Sequence, residues 1–513
     1  MTLAVLGSRA LAGLDAPAVR VEVHLAAGLP AFTLVGLPDA EVRESRERVR
    51  AALINSGYDF PAGRLTVNLA PADIPKESGR FDLPIALGVL LASGQIAMPE
   101  LRGRADRQAE PALAQLVLAG ELSLTGALVP VGAALAIALA VARNQPGATL
   151  ILPRASAAQA ANVPGLVVLG AAHLREVVEH LAGQTPLMPT PPAAATPDQS
   201  SVPCLSDVRG QAGARRALEV AASGGHGLLM IGTPGTGKSM LAQRLPGLLP
   251  PLDTEQALEA AAIASLGGGD GVLLSRVPPY RAPHHHASAA AIIGGGTRPK
   301  PGEVSLAHRG VLFLDELPEF DRRVLESLRE PLETGSVSIA RVLCRVSYPA
   351  SFQLIAAMNP CPCGWQGHPV RPCRCSPDAV QRYQGRLSGP LLDRIDLQVS
   401  LPAPEAQWLD LPVGESSRVV RERVATSRAR QLNRQGRPNA ALKAGELGQH
   451  CRLDDQARGL LNRAMSRLGW SARSAHRVLR VARTLADMVG EQGISAACVA
   501  EAIQYRRPLD TQR

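Results

Sequence analysis

Aromatic side chains are scarce in this sequence: Phe, Trp and Tyr make up 3% of its 513 residues. Single-stranded bases stack on aromatic rings, and few such rings are present. Base stacking is therefore not expected to be the main contact of a nucleic-acid interface here. The first residues, MTLAVLGSRALAGL, have no basic region before their apolar stretch, so they predict the start of a strand and not a signal peptide. We therefore expect a cytoplasmic protein.

Long apolar runs are also rare. One uncharged run, residues 122–142, is long enough to raise the question of a membrane span. Gly126, Pro130 and Gly132 interrupt it, which favours a strand, a turn and a short buried helix. No membrane partner is expected.

The sequence has eight cysteines, four of which fall within residues 361–375. In a cytosolic protein such a cluster indicates metal binding rather than disulfides. Four thiolates suit tetrahedral Zn²⁺, although the C-x-C spacing is tighter than in the usual knuckle. A structural Zn²⁺ is the expectation, with free or redox-paired thiols as the alternative, and the candidate ligands are Cys361, Cys363, Cys373 and Cys375.

A chain of 513 residues is too long for one core, so three or four domains are expected. The formal net charge is +9, and residues 401–513 contribute 19 Lys plus Arg against 11 Asp plus Glu. A positive field suggests a polyanionic partner, but for the charge alone a solvated helical surface is the more common explanation.

Composition divides the chain into four parts. Residues 1–183 alternate strand and helix signals, with strands predicted at 19–25 and 64–69 and helices at 39–56 and 82–93, as in an α/β or α+β domain. Residues 184–203 are a proline-rich linker that cannot build a core. An α/β core at 204–402 and a helical region at 403–513 follow.

The segment GTPGTGKS, at residues 232–239, follows an apolar run and precedes a predicted helix, which is the context of a phosphate-binding loop. Its glycines let backbone N–H groups point at phosphate oxygens, Lys238 would reach the β- and γ-phosphates, and Ser239 would bind Mg²⁺. The chain is therefore predicted to bind ATP and Mg²⁺ through Gly232, Thr233, Pro234, Gly235, Thr236, Gly237, Lys238 and Ser239.

Two further apolar strands end in polar residues. GVLFLDE, at 310–316, places Asp315 to hold Mg²⁺ and Glu316 to orient and deprotonate the attacking water. FQLIAAMN, at 352–359, ends at Asn359, which is placed to touch the γ-phosphate or the water. Downstream of a phosphate loop, these strand ends predict a parallel α/β core with a hydrolytic site.

Arginines complete the pattern. In SGPLLDRID, Arg394 is expected to act as an arginine finger across a subunit interface. A helix predicted at 471–488 begins with Arg473 in its first turn, and Arg477, Arg480 and Arg483 follow at a spacing of three. That spacing predicts a basic face, or a solvated helix surface.

Two segments carry basic residues that could contact a polyanion. The 70 residues between Ser239 and Gly310 form an insertion that carries PHHH at 283–286 and GGGTRPK at 294–300, where Arg298 and Lys300 could bind phosphates. The histidines are expected to be solvated and not to hold a metal. A hairpin predicted across 337–348 would present Arg341 and Arg345, and backbone-directed binding to DNA is expected.

The four nucleotide-site elements, in this order, resemble the AAA+ ATPases. The segments ESGRFDLPIALGVLLASG and GELSLTGALVPVGAAL resemble the proteolytic domain of Lon-type proteases. Asp82 and Leu135 stand at or near the positions of that family's Ser–Lys dyad, so acyl-enzyme chemistry is not expected and a scaffold role is. With NPCPCG at 359–364 and the helix containing Arg473, the whole chain resembles the YifB/ComM family of magnesium-chelatase-like AAA+ ATPases.

The resemblance implies a hexameric ring ATPase that moves along DNA and promotes branch migration of recombination intermediates during natural transformation. It also implies that Arg473 corresponds to the second sensor arginine of ring ATPases. Two alternatives stay open: a chelatase-type motor subunit that remodels a metal-insertion partner, and an ATP-dependent protease.

Overall fold

The computed structural model describes residues 3–96, 113, 115–193, 202–268, 274–296, 299–340, 345–403, 407 and 410–506. Its fold is mixed α/β, with a parallel-strand core and a helical C-terminal region, which confirms the predicted fold class. The strands are β1 Leu3–Arg9, β2 Ala18–Ala26, β3 Ala31–Val35, β4 Arg64–Ala70, β5 Leu116–Leu118, β6 Glu121–Leu122, β7 Leu128–Val129, β8 Thr149–Pro153, β9 Val167–Ala171, β10 Leu228–Gly232, β11 Tyr280–Arg281, β12 Gly294–Gly295, β13 Lys300–Pro301, β14 Val311–Leu314, β15 Ser336–Ala340, β16 Arg345–Pro349, β17 Gln353–Met358 and β18 Leu397–Leu401.

Helices connect and cover these strands. They are α1 Ala40–Arg43, α2 Ser45–Asn55, α3 Asp82–Ala92, α4 Ala134–Asn144, α5 Arg154–Ala160, α6 Leu174–Leu181, α7 Ala212–Gly224, α8 Lys238–Ala242, α9 Thr254–Leu266, α10 Ala289–Ile293, α11 Glu303–Leu306, α12 Arg322–Ser327, α13 Arg329–Thr334, α14 Pro377–Gln384, α15 Gly389–Leu392, α16 Ser417–Gln435, α17 Leu447–His450, α18 Asp455–Leu468, α19 Ala472–Val489 and α20 Ala496–Gln504.

The N-terminal region is built on a seven-stranded sheet in the order β3-β4-β2-β1-β5-β8-β9. The predicted strands at 19–25 and 64–69 are its neighbouring antiparallel strands β2 and β4. Helix α3 is buried along its whole length and is apolar after its first residue, Asp82. The single helix predicted at 39–56 is instead two helices that meet at Glu44, and Ser45 just after the break is buried.

The uncharged run at 122–142 is divided between short strands and α4, as its glycines and proline predict. Helix α4 has 11 residues, most of them buried. Among the described residues, no helix combines the length and the apolar character that crossing a membrane requires.

The core sheet is parallel, in the order β11-β14-β17-β10-β18. Strands β10, β14 and β17 are buried along their whole length, as expected of a parallel sheet with both faces covered. Because the carboxyl ends of parallel strands meet at one edge, the segments that follow Gly232, Leu314 and Met358 converge there.

The C-terminal helices overturn one prediction. The prediction that Arg477, Arg480 and Arg483 form an exposed basic face is wrong, because these side chains point inward. Arg483 is 1% exposed and donates to Asp487 Oδ1 at 2.9 Å, and Arg477 donates to the buried Asp396 Oδ1 at 2.5 Å. The arginines balance carboxylates that would otherwise be buried without a counter-charge.

Candidate functional site: a nucleotide pocket at the carboxyl edge of the core sheet

The phosphate loop, residues 232–239, joins β10 to α8. Gly235 and Gly237 have φ angles of +80° and +88°, in the left-handed region that favours glycine. A Cβ at Gly232 would lie 2.8 Å from Thr236 Oγ1 and 3.0 Å from the carbonyl oxygen of Leu401. The sequence therefore needs glycine at all three positions to fold the loop this tightly.

Lys238 lies inside the loop and is 9% exposed. Its Nζ donates to the carbonyl oxygens of Gly232 and Thr233 at 2.7 and 3.0 Å, and to Asn359 Oδ1 at 3.1 Å. Burial lowers the pKa of Lys238, although Asp315 and Glu316 act in the opposite direction. The structure thus brings Asn359, at the end of β17, to the lysine of the phosphate loop.

Ser239 and Asp315 also meet, as the predicted magnesium site requires. Ser239 Oγ donates to Asp315 Oδ2 at 2.5 Å, and Asp315 Oδ1 accepts the backbone N–H of Glu316 at 3.0 Å. A hydroxyl and a carboxylate are hard oxygen ligands of the kind that Mg²⁺ takes beside phosphates. The donor set therefore fits Mg²⁺.

Glu316 follows Asp315 with a φ angle of +52°, which is uncommon for a residue with a side chain. Its side chain is half exposed, and Glu316 Oε2 lies 3.1 Å from His285 Nδ1. Sequence patterns gave His285 no role. The sequence signal that could have identified His285 is its position shortly after β11, because β11 pairs with β14, the strand that leads to Glu316.

Gln211 is a second residue that the sequence patterns did not single out. It precedes α7 with a φ angle of +51°, and its Nε2 donates to the carbonyl oxygen of Pro402 at 2.9 Å. The same amide lies 3.5 Å from the carbonyl oxygen of Thr236. Gln211 therefore ties the phosphate loop to the segment that follows β18.

Arg394 lies at the opposite edge of the sheet. Its carbonyl oxygen is 3.6 Å from an ideal Cβ at Gly227, the residue just before β10, whereas the phosphate loop leaves the other end of that strand. Five strand residues span roughly 15 Å. Arg394 NH2 donates to Glu333 Oε2 at 2.5 Å, and the Arg394 side chain is 12% exposed.

Arg473 lies near the same carboxylate. The hydrogen bond from Arg394 lowers the pKa of Glu333, and the charges of Arg394 and Arg473 act in the same direction. Arg473 is exposed in the first turn of α19, one turn before the Arg477 that contacts Asp396. The structure therefore groups Arg394 and Arg473 with Glu333 and keeps them apart from the phosphate loop of the same chain.

The four cysteines at 361–375 converge on one point. Each offers one Sγ, and these atoms lie within 4.8 Å of one another. Burial raises the pKa of Cys361 to about 12, whereas backbone N–H groups, that of Trp365 first, lower the pKa of Cys363 to about 6. Four converging sulfurs are the donor set that structural Zn²⁺ prefers, so the cluster fits this ion.

A second possible metal group is the triplet His284, His285 and His286, whose ring nitrogens also lie within 4.8 Å of one another. His284 and His286 are exposed. Three consecutive side chains on an irregular loop are a poor donor set, and one of them contacts Glu316. The prediction that they hold no metal is untested.

Two strand pairs in the core carry the expected polyanion contacts. The pair β12–β13 lies beside β15–β16, because Tyr348 Oη donates to the carbonyl oxygen of Pro299 at 2.6 Å. Lys300 is exposed, and the exposed Arg345 donates to Ser338 Oγ at 3.0 Å. The other two predicted contacts, Arg298 and Arg341, lie outside the described residues.

In the N-terminal region, Asp82 is fully buried. Its Oδ2 accepts from Arg48 Nε at 2.6 Å and from the backbone N–H of Leu122 at 3.2 Å, and Ser45 donates to Oδ1. Burial raises the pKa of Asp82, while the bonds from Arg48 and Ser45 lower it. Leu135 is 5% exposed within α4. Leu135 has no ionisable group, and the Asp82 carboxylate is taken up by Arg48, Ser45 and the backbone, so the two residues do not form a Ser–Lys dyad.

Comparison with known proteins agrees with this geometry. Three family models match: "Magnesium chelatase, subunit ChlI" over residues 204–409, "Subunit ChlI of Mg-chelatase" over 21–156 and "Magnesium chelatase, subunit ChlI C-terminal" over 414–506. The AAA+ character of this family indicates ATPase activity, with ATP and Mg²⁺ as ligands.

Relatives extend over nearly the whole chain. The YifB protein of Escherichia coli K12 is 46% identical over 510 residues, which cover 99% of this chain and 97% of that protein. The competence protein ComM of Haemophilus influenzae is 45% identical over 516 residues, which cover 99% and 98%. The magnesium-chelatase 67 kDa subunit of Heliobacterium mobile is 28% identical over 194 residues, 32% of this chain and 29% of that protein. The chain therefore belongs to the YifB/ComM family of magnesium-chelatase-like AAA+ proteins.

Proposed function

We propose that this protein hydrolyses ATP and uses the energy to move along DNA, as a translocase or helicase that drives branch migration of recombination intermediates. The observation that carries the ATPase part is the convergence of Lys238, Ser239, Asp315 and Asn359 at one sheet edge. The full-length likeness to a protein named for competence supports a role in natural transformation.

In this mechanism each residue has a separate task. Lys238 exchanges the loop carbonyls for the β- and γ-phosphates, and Asn359 orients the γ-phosphate or the attacking water. Ser239 and Asp315 hold Mg²⁺, which neutralises charge on the phosphate oxygens when bound. Glu316 accepts the proton of the attacking water, so loss of its carboxylate removes the base while leaving the binding groups in place.

The pocket is completed by a neighbouring copy. Arg394 and Arg473 lie near Glu333, at the far edge of the sheet from their own phosphate loop, which supports their delivery to the next protomer. There the guanidinium of Arg394 stabilises transition-state charge on the γ-phosphate, and Arg473 acts as the second sensor. We infer a homo-oligomeric ring, a hexamer as the family resemblance implies.

The protein contacts DNA through the phosphate backbone. The adjacent strand pairs β12–β13 and β15–β16 present the exposed Lys300 and Arg345, which suit phosphate contacts. Few aromatic rings are available for stacking, so little sequence preference and a strong salt dependence are expected.

Two further parts have supporting roles. Structural Zn²⁺ bound by Cys361, Cys363, Cys373 and Cys375 braces the loop that follows Asn359. The N-terminal region serves as a scaffold or interaction domain without acyl-enzyme chemistry, because a buried, paired Asp82 and a buried Leu135 offer no nucleophile–base pair.

One observation favours a second candidate function. The partial likeness to a magnesium-chelatase 67 kDa subunit suits a motor subunit that remodels a metal-insertion partner. Its match covers a third of the chain, whereas the YifB and ComM matches extend over nearly all of it. Co-purification of a porphyrin-binding subunit with this protein, together with ATPase activity indifferent to DNA, would favour the chelatase role.

The decisive experiment measures ATP hydrolysis with single-stranded, duplex and forked DNA at two salt concentrations, alongside branch migration of a four-way junction. We expect hydrolysis to rise with DNA, most at the lower salt concentration. Glu316→Gln should retain ATP binding and lose both activities. Hydrolysis that ignores every DNA form, with no strand displacement or branch migration, would refute the DNA role.

A further inference from the structure

Arg506, shortly after α20, contacts the residues on both sides of Arg394, within a finger segment defined by residues 393–398. Its NH1 donates to the carbonyl oxygen of Ile395 at 2.7 Å, and its NH2 donates to Asp393 Oδ1 at 2.7 Å. Arg506 is 8% exposed, so most of its side chain is shielded from water. One planar guanidinium therefore holds the backbone after Arg394 and the side chain before it.

The finger segment is attached to the C-terminal helices at two further points. Asp396 Oδ1 accepts from Arg477 of α19, and the backbone N–H of Gln398 donates to the carbonyl oxygen of Tyr505 at 2.8 Å. The other carboxylate oxygen of Asp396 lies 2.9 Å from Nδ1 of the buried His226, which belongs to the core. The segment is thus fixed between the core and the C-terminal helices.

The side chain of Arg394 is held less firmly than its backbone. Its NH1 donates to the carbonyl oxygen of Pro390 at 2.8 Å, and its NH2 contacts Glu333, whose side chain is 65% exposed. An ion pair with an exposed carboxylate contributes little free energy and is readily exchanged. The guanidinium of Arg394 can therefore leave Glu333 for a phosphate while its backbone keeps its place.

We propose that Arg506 is a positioning residue for Arg394 and sets where this arginine enters the ATP pocket of the neighbouring copy. The inference rests on the proposed function, in which Arg394 acts in the next protomer. A lysine ammonium is a compact charge without the planar fork of arginine, so it does not hold the Ile395 carbonyl and the Asp393 carboxylate in one fixed geometry. Because a displacement of about 1 Å at the reacting groups costs about a hundredfold in rate, a loosened finger segment slows hydrolysis.

The test compares Arg506→Lys with Arg394→Ala and with a matched control, Arg437→Lys. Arg437 forms an ion pair with Glu446 at 2.8 Å, within the C-terminal region and outside the contacts of the finger segment. We expect Arg506→Lys to lower kcat about ten- to a hundredfold. Its affinity for a fluorescent ATP analogue should stay unchanged, because its own phosphate loop is intact. Arg437→Lys should behave like the wild type.

Mixing experiments show which half of the pocket is damaged. When Arg506→Lys is mixed before assembly with Lys238→Ala, hydrolysis should recover as far as it does for Arg394→Ala mixed with Lys238→Ala. Asn359→Ala should not recover with Lys238→Ala, because both lesions lie in the same half of the pocket. A misfolded subunit offers no working phosphate loop, so recovery distinguishes a displaced finger from a loss of folding.

The outcomes separate this inference from the proposed function. If Arg394→Ala recovers in the mixture with Lys238→Ala, the inference is overturned by an Arg506→Lys protein that keeps the wild-type kcat, loses ATP affinity or fails to recover. If Arg394→Ala itself shows no recovery, the pocket shared between copies is refuted, and the role of Arg506 is refuted with it.

Discussion

Gly364 lies directly against Pro234: a Cβ at Gly364 would be 2.9 Å from both Cδ and Cγ of the proline ring. Gly364 follows the first two cysteines of the cluster, and Pro234 belongs to the phosphate loop. Asn359, two positions before Cys361, supplies a second link because its Oδ1 accepts from Lys238. The cysteine cluster and the nucleotide pocket are therefore neighbours in one packed unit.

Gly364→Ala should disturb the phosphate loop from outside the nucleotide motif. Gly367 is a matched control, since the two glycines have φ angles of +81° and +78° but a Cβ at Gly367 would meet nothing within 4 Å. Both variants carry the left-handed strain of about 1–2 kcal/mol. We expect only Gly364→Ala to weaken ATP binding, by roughly tenfold, in a titration with a fluorescent ATP analogue. Equal affinities in the two variants would contradict this coupling.

Zinc removal gives a second prediction. The purified protein should contain one Zn²⁺ per chain, measured by elemental analysis, and Cys361→Ser or Cys373→Ser should lose it. Loss of the ion should also lower ATP affinity, because the loop carrying the cysteines packs on Pro234. Cys204→Ser is the control, since Cys204 lies outside the cluster and accepts from the backbone N–H of Ser417. A zinc-free protein with full ATP affinity would exclude this role.

The convergence of the residues at the candidate nucleotide pocket was predictable because its signals are local, while their role in binding a nucleotide stays a prediction. The glycines of residues 232–239 and the polar ends of β14 and β17 are each readable within a few positions, and parallel strands must bring those ends together. The contacts of Lys238 with Asn359 and of Ser239 with Asp315 confirm this arrangement.

Long-range partners were not predictable in the same way. The spacing of Arg477, Arg480 and Arg483 reports their positions along a helix but not which carboxylates pack against them. Asp396 comes from another part of the chain, so the inward orientation of Arg477 depends on tertiary packing. The contact of His285 with Glu316 likewise depends on β11 and β14 being neighbours in the sheet.

The buried Asp487 predicts a large stability effect. It accepts from Arg483 at 2.9 Å, from Arg434 at 2.6 Å and from Asn439 Nδ2 at 2.8 Å. Asp487→Ala leaves the buried Arg483 without its counter-charge, which should lower the opening free energy of the C-terminal helices by about 3–5 kcal/mol. Hydrogen-exchange protection of α16 and α19 measures this loss. Asp455→Ala, at an exposed position in α18, should change it by less than about 0.5 kcal/mol.

Glu259 predicts a pH-dependent contribution to stability. The hydrogen bond from His308 is the largest cause that lowers the pKa of Glu259, to about 2. Because the folded pKa lies below the unfolded value, the stabilisation is complete above about pH 4.5 and is lost as the pH falls toward 2. Thermal melting should therefore separate wild type from Glu259→Gln at pH 7 and much less at pH 3. Glu255→Gln, at an exposed position, is the control. An equal difference in melting temperature between wild type and Glu259→Gln at both pH values would contradict this prediction.

The separation of Arg394 from its own phosphate loop predicts complementation between two inactive variants. Lys238→Ala loses phosphate binding and Arg394→Ala loses the finger, so each should hydrolyse ATP at a small fraction of the wild-type rate. When the two are mixed before assembly, an Arg394→Ala copy supplies an intact loop and a Lys238→Ala neighbour supplies Arg394, which regenerates about a quarter of the pockets under random mixing. If the Lys238→Ala protein in the mixture is replaced by the Lys238→Ala, Arg394→Ala double variant, no copy carries Arg394. The recovery should then be abolished. A pocket complete within one chain does not use Arg394, so Arg394→Ala alone would keep its activity and mixing it with Lys238→Ala would bring no gain.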